Sequence, residues 1–455
     1  MHPFHQILLK EIRTDISQMV EEGHDEDALL AELQAAEASG SLDALAELQE
    51  ALWRRPSPPD FPYDEPSDWE GISAHFPDGD SHARLVGGDE VLADRLLAGW
   101  RGRCAGCQLG KAPEGLWPED VKTLLEAIGS WPLADYLNAV DDRKYRDLVR
   151  GNELFKRLDP SRRLTKGTFD HAVPDDDIHY AIVSQMVLEE FGPDFTPEQA
   201  LGKLIELTPA SCLFASGRNM FRTGVFGIRP PQTAVFGNPC RQSLGGQIRC
   251  DAWGWGAAGN PALAARMAYK DAASSQVRNG IYSAIFFAAL LADVLAHGDP
   301  SRAIATAEGY VPPKSRFAEM VAFVKGLCAR HDDWQAVNAG IYDGYDRLYN
   351  SAERAPMNHS LPNAAIVVMA LLKGGGDFTR TIGIAVMAGR DTDCNGATAG
   401  SIMGCALGTE GIPAHWTDPL NDTIRTQLKD LPQVRISELA RRMHEAAKVN
   451  ARYAR

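Results

Sequence analysis

The chain has 455 residues, 44% apolar and 24% charged, a composition that suits a soluble globular protein long enough for one large core and an extension. A formal net charge of -15 argues against general nucleic-acid binding, which depends on Lys and Arg neutralising phosphates, but leaves room for a small phosphorylated ligand in a local basic pocket. No stretch approaches the ~18 uninterrupted apolar residues of a membrane span, and the N-terminus MHPFHQILLKEIRTDISQ breaks its apolar pattern with charges, unlike a secretory leader.

In chain order, residues 1 to about 55 read as helical. Ile7, Leu8, Ile12 and Ile16 form one apolar stripe; Leu29, Leu30 and Leu33, then Leu42, Leu45 and Leu48, form others, with Gly40 separating two helices. The segment PSPPDFPYDEP, Pro56 to Pro66, breaks the pattern and reads as a linker, because each proline fixes φ and removes a donor. Residues 1–66 are therefore expected to be a helical extension, an accessory or self-association module, and residues 67–455 the domain that carries the chemistry.

From Asp89 an amphipathic pattern through Leu92, Leu96 and Leu97 leads into GWRGRCAGCQLGKAPEG. There Gly99, Gly102, Gly106 and Gly110 recur every three or four residues, giving a helix face small enough for another helix to come close. Pro113 is expected to stop this helix, leaving Glu114 at its negative end, where a cation or a hydrogen-bond network should compensate. Cys104 and Cys107 have redox or zinc spacing, but no second Cys or His pair completes a zinc site and no βαβ pattern surrounds them. The eight cysteines, sparse and among apolar or small residues, read as reduced thiols of a cytoplasmic protein.

Short helices are expected over 121–128 and 144–158, followed by a solvated basic loop at Arg162, Arg163 and Lys166. Asp175, Asp176 and Asp177 then stand directly before a helical pattern of Ile178, Ile182 and Met186, more carboxylates than capping needs. Further helices are expected over 201–207, 262–272, 282–297, 315–330 and 363–373, and strand patterns are scarce, so the domain reads as all-α. Polar loops between them carry Asn238, Arg241, Gln247 and Arg249, then Gln276, Asn279 and Tyr282. Of these, Asn238, Arg241, Gln276, Asn279 and Tyr282 are candidates for contact with a substrate.

The last motif, AGRDTDCNGATAGSIMGCALG from Ala388 to Gly408, is the most informative. Asp391, Asp393 and Asn395 alternate, which can aim oxygens at a cation, and a run of Gly, Ala and Ser follows that needs close-packed neighbours. An EF-hand loop opens in the same way, but its twelfth position must be a bidentate Glu and here it is Ile402. Two acidic loops, each opening a helix, would repel each other at one place unless a divalent cation lay between them. Oxygen ligands favour Mg²⁺, Mn²⁺ or Ca²⁺ over zinc.

Together the glycine helix ending in LGKAPEG, the Asp175–Asp176 pair and the motif around Asp391 resemble the ADP-ribosylglycohydrolase family over about 96–446. The resemblance implies an orthogonal multi-helix bundle of the all-α class with a central site for one or two Mg²⁺ ions, Mn²⁺ or Ca²⁺ being possible. It implies cleavage at the anomeric carbon of a ribosyl or ADP-ribosyl conjugate, so the expected partner is a small-molecule or ADP-ribosylated substrate rather than nucleic acid or membrane. By the same resemblance Asp175, Asp176, Asp391 and Asp393 match metal ligands, and Glu114 matches an acid that touches metal or the catalytic water. Glu114, Asp175 and Asp177 are the candidates for the general base. The chain departs from the family pattern at Pro174 and Asp177, where threonines flank the Asp pair, at Cys394, where a hydroxyl ligand is usual, and at Gln276, where a His is common. Those departures keep open a glycosidase for a small furanoside or nucleoside-like metabolite, and a non-catalytic binding homologue.

Overall fold

The computed structural model describes residues 3–77, 87–346 and 357–453. Among them the fold is all-α, with a single two-stranded antiparallel ribbon that pairs Thr423–Arg425 with Gln433–Arg435.

Three helices open the chain: α1 (Pro3–Glu21), α2 (Glu26–Ala38) and α3 (Leu42–Arg54). Asp25 caps α2 by accepting from the Ala28 amide, and Ser41 caps α3 by accepting from Ala44. Gly23 and Gly40 turn the chain between them at φ of +90° and +68°, where a Cβ would be strained. Leu9, Ile12, Ile16, Met19, Leu29, Leu33, Leu45 and Leu52 close a small core of their own.

The proline-rich segment is not a free linker. Its Glu65 side chain is fully buried, and the carboxylate accepts from the amide and the guanidinium of Arg316, while Asn279 also donates to it. Phe61 lies under the guanidinium groups of Arg278 and Arg316, at 5.9 and 5.5 Å from its ring centre. The sequence reads as a linker because prolines report only on local backbone; the docking depends on arginines more than two hundred residues away.

The body is organised on α4 (Gly88–Gly110), α5 (Asp176–Phe191), α6 (Asn279–His297), α7 (Ser360–Lys373), α8 (Phe378–Met387), α9 (Thr392–Leu407) and α10 (Ile436–Tyr453). Helix α6 is long and apolar enough to cross a membrane, but 94% of its apolar window is buried inside the protein.

The two small-faced helices pack against each other. A Cβ on Gly102 would lie 2.0 Å from the Gly400 carbonyl oxygen, one on Gly106 1.9 Å from that of Gly396, and one on Gly110 2.2 Å from that of Thr392. In return, a Cβ on Gly404 would meet the Ala98 oxygen at 2.1 Å. As residue numbers rise along α4 they fall along α9, so the pair is antiparallel and the backbones touch along its length. This places the end of α4, with Lys111 and Glu114, beside the start of α9, with Asp391 and Asp393.

Candidate metal centre

Four segments bring side chains to one place. The end of α4 is stapled to the loop before α9, because the Gly115 amide donates to the Arg390 carbonyl at 2.7 Å and the Arg390 amide to the Leu116 carbonyl at 2.8 Å. Arg390 takes a left-handed φ of +65° to make that turn, and its guanidinium lies over the rings of Trp117 and Tyr342. From α7, Asn363 accepts from the Asp391 amide at 3.3 Å and from the Asn395 side chain at 2.9 Å, which holds the acidic loop from its other side. Asp391 makes no capping bond with its side chain, so simple capping does not explain it.

The third acidic segment starts α5. Asp175 caps that helix by accepting from the Asp177 amide at 3.0 Å. Arg103, fully buried on α4, donates to the Asp177 carbonyl at 2.9 and 2.8 Å, to the Asp177 carboxylate at 3.2 Å, to Asp251 at 2.7 Å and to the Ile248 carbonyl at 2.6 Å. It thereby ties the start of α5 to α4. Nothing in the sequence marks Arg103 among the chain's other basic residues, since its role depends on carbonyls from distant segments.

Ligand atoms of Glu114, Asp391 and Asp393 lie within 4.8 Å of one another, and so do those of Asp177, Asp393 and Cys394 and those of Cys107, Asp175 and Asp177. Lys111 sits among them. Its ammonium donates to Asp393 Oδ2 at 2.8 Å and to Glu114 Oε2 at 3.1 Å, and pairs with Asp175. The cation expected near Glu114 is therefore three residues before it.

Burial raises the carboxyl pKa values of Asp176, Asp177, Asp391 and Asp393, that of Asp393 to about 7. Neighbouring carboxylates add to the rise, Lys111 opposes it at Asp176 and Asp393, and Arg103 opposes it at Asp177. Cys394 is 6% exposed; burial followed by the nearby aspartates drives its thiol far up, so it stays protonated beside Asp391. Cys104 and Cys107 are buried too, and burial pushes the Cys104 thiol up to about 12 and raises that of Cys107.

The donor set suits a hard divalent cation. Asp177 Oδ2 and Asp393 Oδ1 are buried oxygens with no hydrogen-bond donor, in residues 0% and 2% exposed, and buried acceptors left unsatisfied are costly unless something positive meets them.

Asn238, Arg241, Gln276, Asn279 and Tyr282 are not brought to this cluster. Arg241 pairs with Asp15 of α1, and Asn279 donates to Glu65 and to Gln242 while accepting from the Phe317 amide. Tyr282 donates to the Pro66 carbonyl. Asn238 donates to the Ala234 and Ser275 carbonyls at 2.8 Å each, and the Gln276 amide is held among Ser216, Ser243 and Arg241. All five are buried, and their polar groups are engaged within the seam and loops beneath the N-terminal segment, where Gln276 also lines a cavity with Trp53, Phe236 and Tyr269. Their types suggested ligand contact because the acidic partners in the N-terminal segment could not be located from sequence.

The family described as ADP-ribosylglycohydrolase matches residues 89–451. No curated protein matches. A solved structure described as "ADP-ribosylglycohydrolase-related protein complex" superposes with a TM-score of 0.48 and 18% identity over 79% of this chain and 99% of that one.

Proposed function

The chain belongs to the ADP-ribosylglycohydrolase family, and from that premise we propose that it is a divalent-metal-dependent hydrolase that cleaves the anomeric bond of a ribosyl or ADP-ribosyl conjugate. The observation that supports this most is the convergence of Glu114, Asp175, Asp177, Asp391 and Asp393 from three distant segments, with oxygens that have no donor.

Asp177, Asp391 and Asp393 would hold the ion, with Asp176 beside them, while Asp175 is taken up by the Asp177 amide and Lys111. A bound Mg²⁺ or Mn²⁺ supplies a fixed positive charge that orients the vicinal oxygens of a furanose and makes water more acidic. The protein's own groups do the rest. Glycoside cleavage passes through a state with positive charge at the anomeric carbon, which the surrounding carboxylates stabilise. A water must lose its proton as it attacks, and Glu114 is the carboxylate placed to take it. Its side chain is 32% exposed while those of Asp175 and Asp393 are 1% and 3% exposed, and Lys111 fixes its orientation. Asp177 is committed to Arg103 and is fully buried, which removes it from the candidates for the base.

Two measurements test this reading together. Protein purified without chelator should contain Mg²⁺ or Mn²⁺, and Asp393→Ala should lower release of free ADP-ribose from ADP-ribosylated protein by at least about a thousandfold, the scale of losing charge stabilisation in a site of this kind. Full turnover in excess chelator, or retained activity in Asp393→Ala, would refute it. Because Asn238, Arg241 and Asn279 are occupied within the protein, a second reading is a glycosidase for small furanosides that recognises no diphosphate. Turnover of simple ribosides alone would favour it, and turnover of neither class would indicate a binding protein.

A further inference from the structure

Besides Arg103 at Asp177, the acidic cluster contains a lysine ammonium that the chain itself supplies. Lys111 follows Gly110 directly, at the end of α4 where the helix dipole favours positive charge. Its stem has little freedom, since the backbone at Gly110 already touches that of Thr392 and Asp393. The ammonium is 20% exposed and lies against Asp393 Oδ2, Glu114 Oε2 and Asp175 Oδ2, oxygens from three segments. An ammonium offers three donors, and here they face three carboxylates. These oxygens are taken up at one end of the cluster. The oxygens without a donor, Asp177 Oδ2 and Asp393 Oδ1, belong to residues whose ligand atoms gather with Cys394 within 4.8 Å.

Asp393 thus offers one oxygen to the lysine and has another to spare. A divalent ion and an ammonium cannot both occupy the position where Asp393 Oδ2, Glu114 Oε2 and Asp175 Oδ2 meet, because each needs the same oxygens at contact distance and their like charges repel.

Resting on the reading of the cluster as a metal site, we propose that Lys111 is a tethered substitute for one of two cations, so that the chain binds a single divalent ion. The lysine neutralises the carboxylates of the other position and fixes Glu114 without any dependence on metal supply.

The test uses full-length protein stripped with chelator, desalted and reloaded with MnCl₂. Metal analysis should give one Mn²⁺ per chain for the wild type and for Lys111→Arg, and two for Lys111→Met. Electron paramagnetic resonance should show a resolved six-line Mn²⁺ signal in the first two proteins, and a signal broadened by a neighbouring ion in Lys111→Met. Two ions in the wild type, or one in well-folded Lys111→Met, would overturn the proposal while leaving the metal site standing. Retention of no ion by the wild type or by Lys111→Met would overturn both this proposal and the metal reading beneath it. The wild-type count alone decides the matter if Lys111→Met does not fold.

Discussion

His179 lies one turn into α5, 1% exposed, and its Nε2 accepts from the Gln427 amide at 3.1 Å, so the ring is held as the neutral base. Burial lowers its pKa to about 4. The unfolded imidazole takes up its proton near pH 6.5, so between the two values the unfolded state holds more protons and stability falls as the pH drops. The full loss from this group is at most ~3 kcal/mol. The His179→Gln variant keeps an acceptor for Gln427 but does not titrate. The difference in Tm between wild type and variant should therefore shrink as pH falls from neutrality to about 4, and a constant difference would contradict the assignment. At this scale the sequence was uneven. Asp391, Asp393 and Asp175 stand out in the sequence because two loops carry more carboxylates than capping needs, and Glu114 because it follows a helix at its negative end. Arg103 and His179 do not, because what singles them out is a neighbour supplied by another helix.

The helix pair α4 and α9 is where spacing in the sequence translated most directly into structure. Glycines at four-residue intervals on both helices implied close approach, and each turned out to be the other's partner. A Cβ at Gly106 meets backbone atoms at 1.9 and 2.4 Å, and backbone cannot rotate away as a side chain would. Gly106→Ala must push the helices apart, at a cost at or above the ~1–3 kcal/mol typical of overpacking, and it moves Lys111 away from Asp393. Both the Tm and metal binding should fall. Gly202 is a fitting control: it lies within the helix Pro197–Leu207, a Cβ there would have nothing within 4 Å, and Gly202→Ala should raise stability by ~0.5–1 kcal/mol. Most other expected helices lie within a few residues of their observed ends, as with 262–272 against Pro261–Ala272, but 144–158 is broken at Asn152 into a helix Asp142–Gly151 and a short 3-10 helix Glu153–Leu158. The ribbon at 423–435 was missed because strands of three residues carry no readable alternation.

For the whole molecule, the relation of residues 1–66 to the rest differs most from what the sequence suggested. The three N-terminal helices do close their own core, yet Asp15, Glu21, Glu22 and Glu65 reach across to Arg241, His359, Gln242 and Arg316. Removing residues 1–66 would leave Arg241 and Arg316, each 4% exposed, without those carboxylates. The deletion also uncovers these arginines to water, so the loss is that of the docked contacts with Asp15, Glu65 and Phe61, and the truncated chain should melt lower than the full chain. An unchanged Tm would show that the seam is not needed for stability. His359 also links the seam to the site: it accepts the Leu361 amide at the start of α7, and Asn363 one turn on holds the Asp391 loop.

The backbone contact between α4 and α9 also governs when the site can exist during synthesis. Lys111 and Asp393 are 282 residues apart, and a ribosome adding about 5–20 residues per second needs tens of seconds to make that stretch. Throughout that interval the glycine face of α4 has no mate, and a face without side chains holds few other partners by packing. The acidic start of α5 is likewise made long before α9 can lie beside it. The centre therefore assembles only after nearly the whole chain is available, and a chain that stops before α9 has half of the ligands and no frame to hold them.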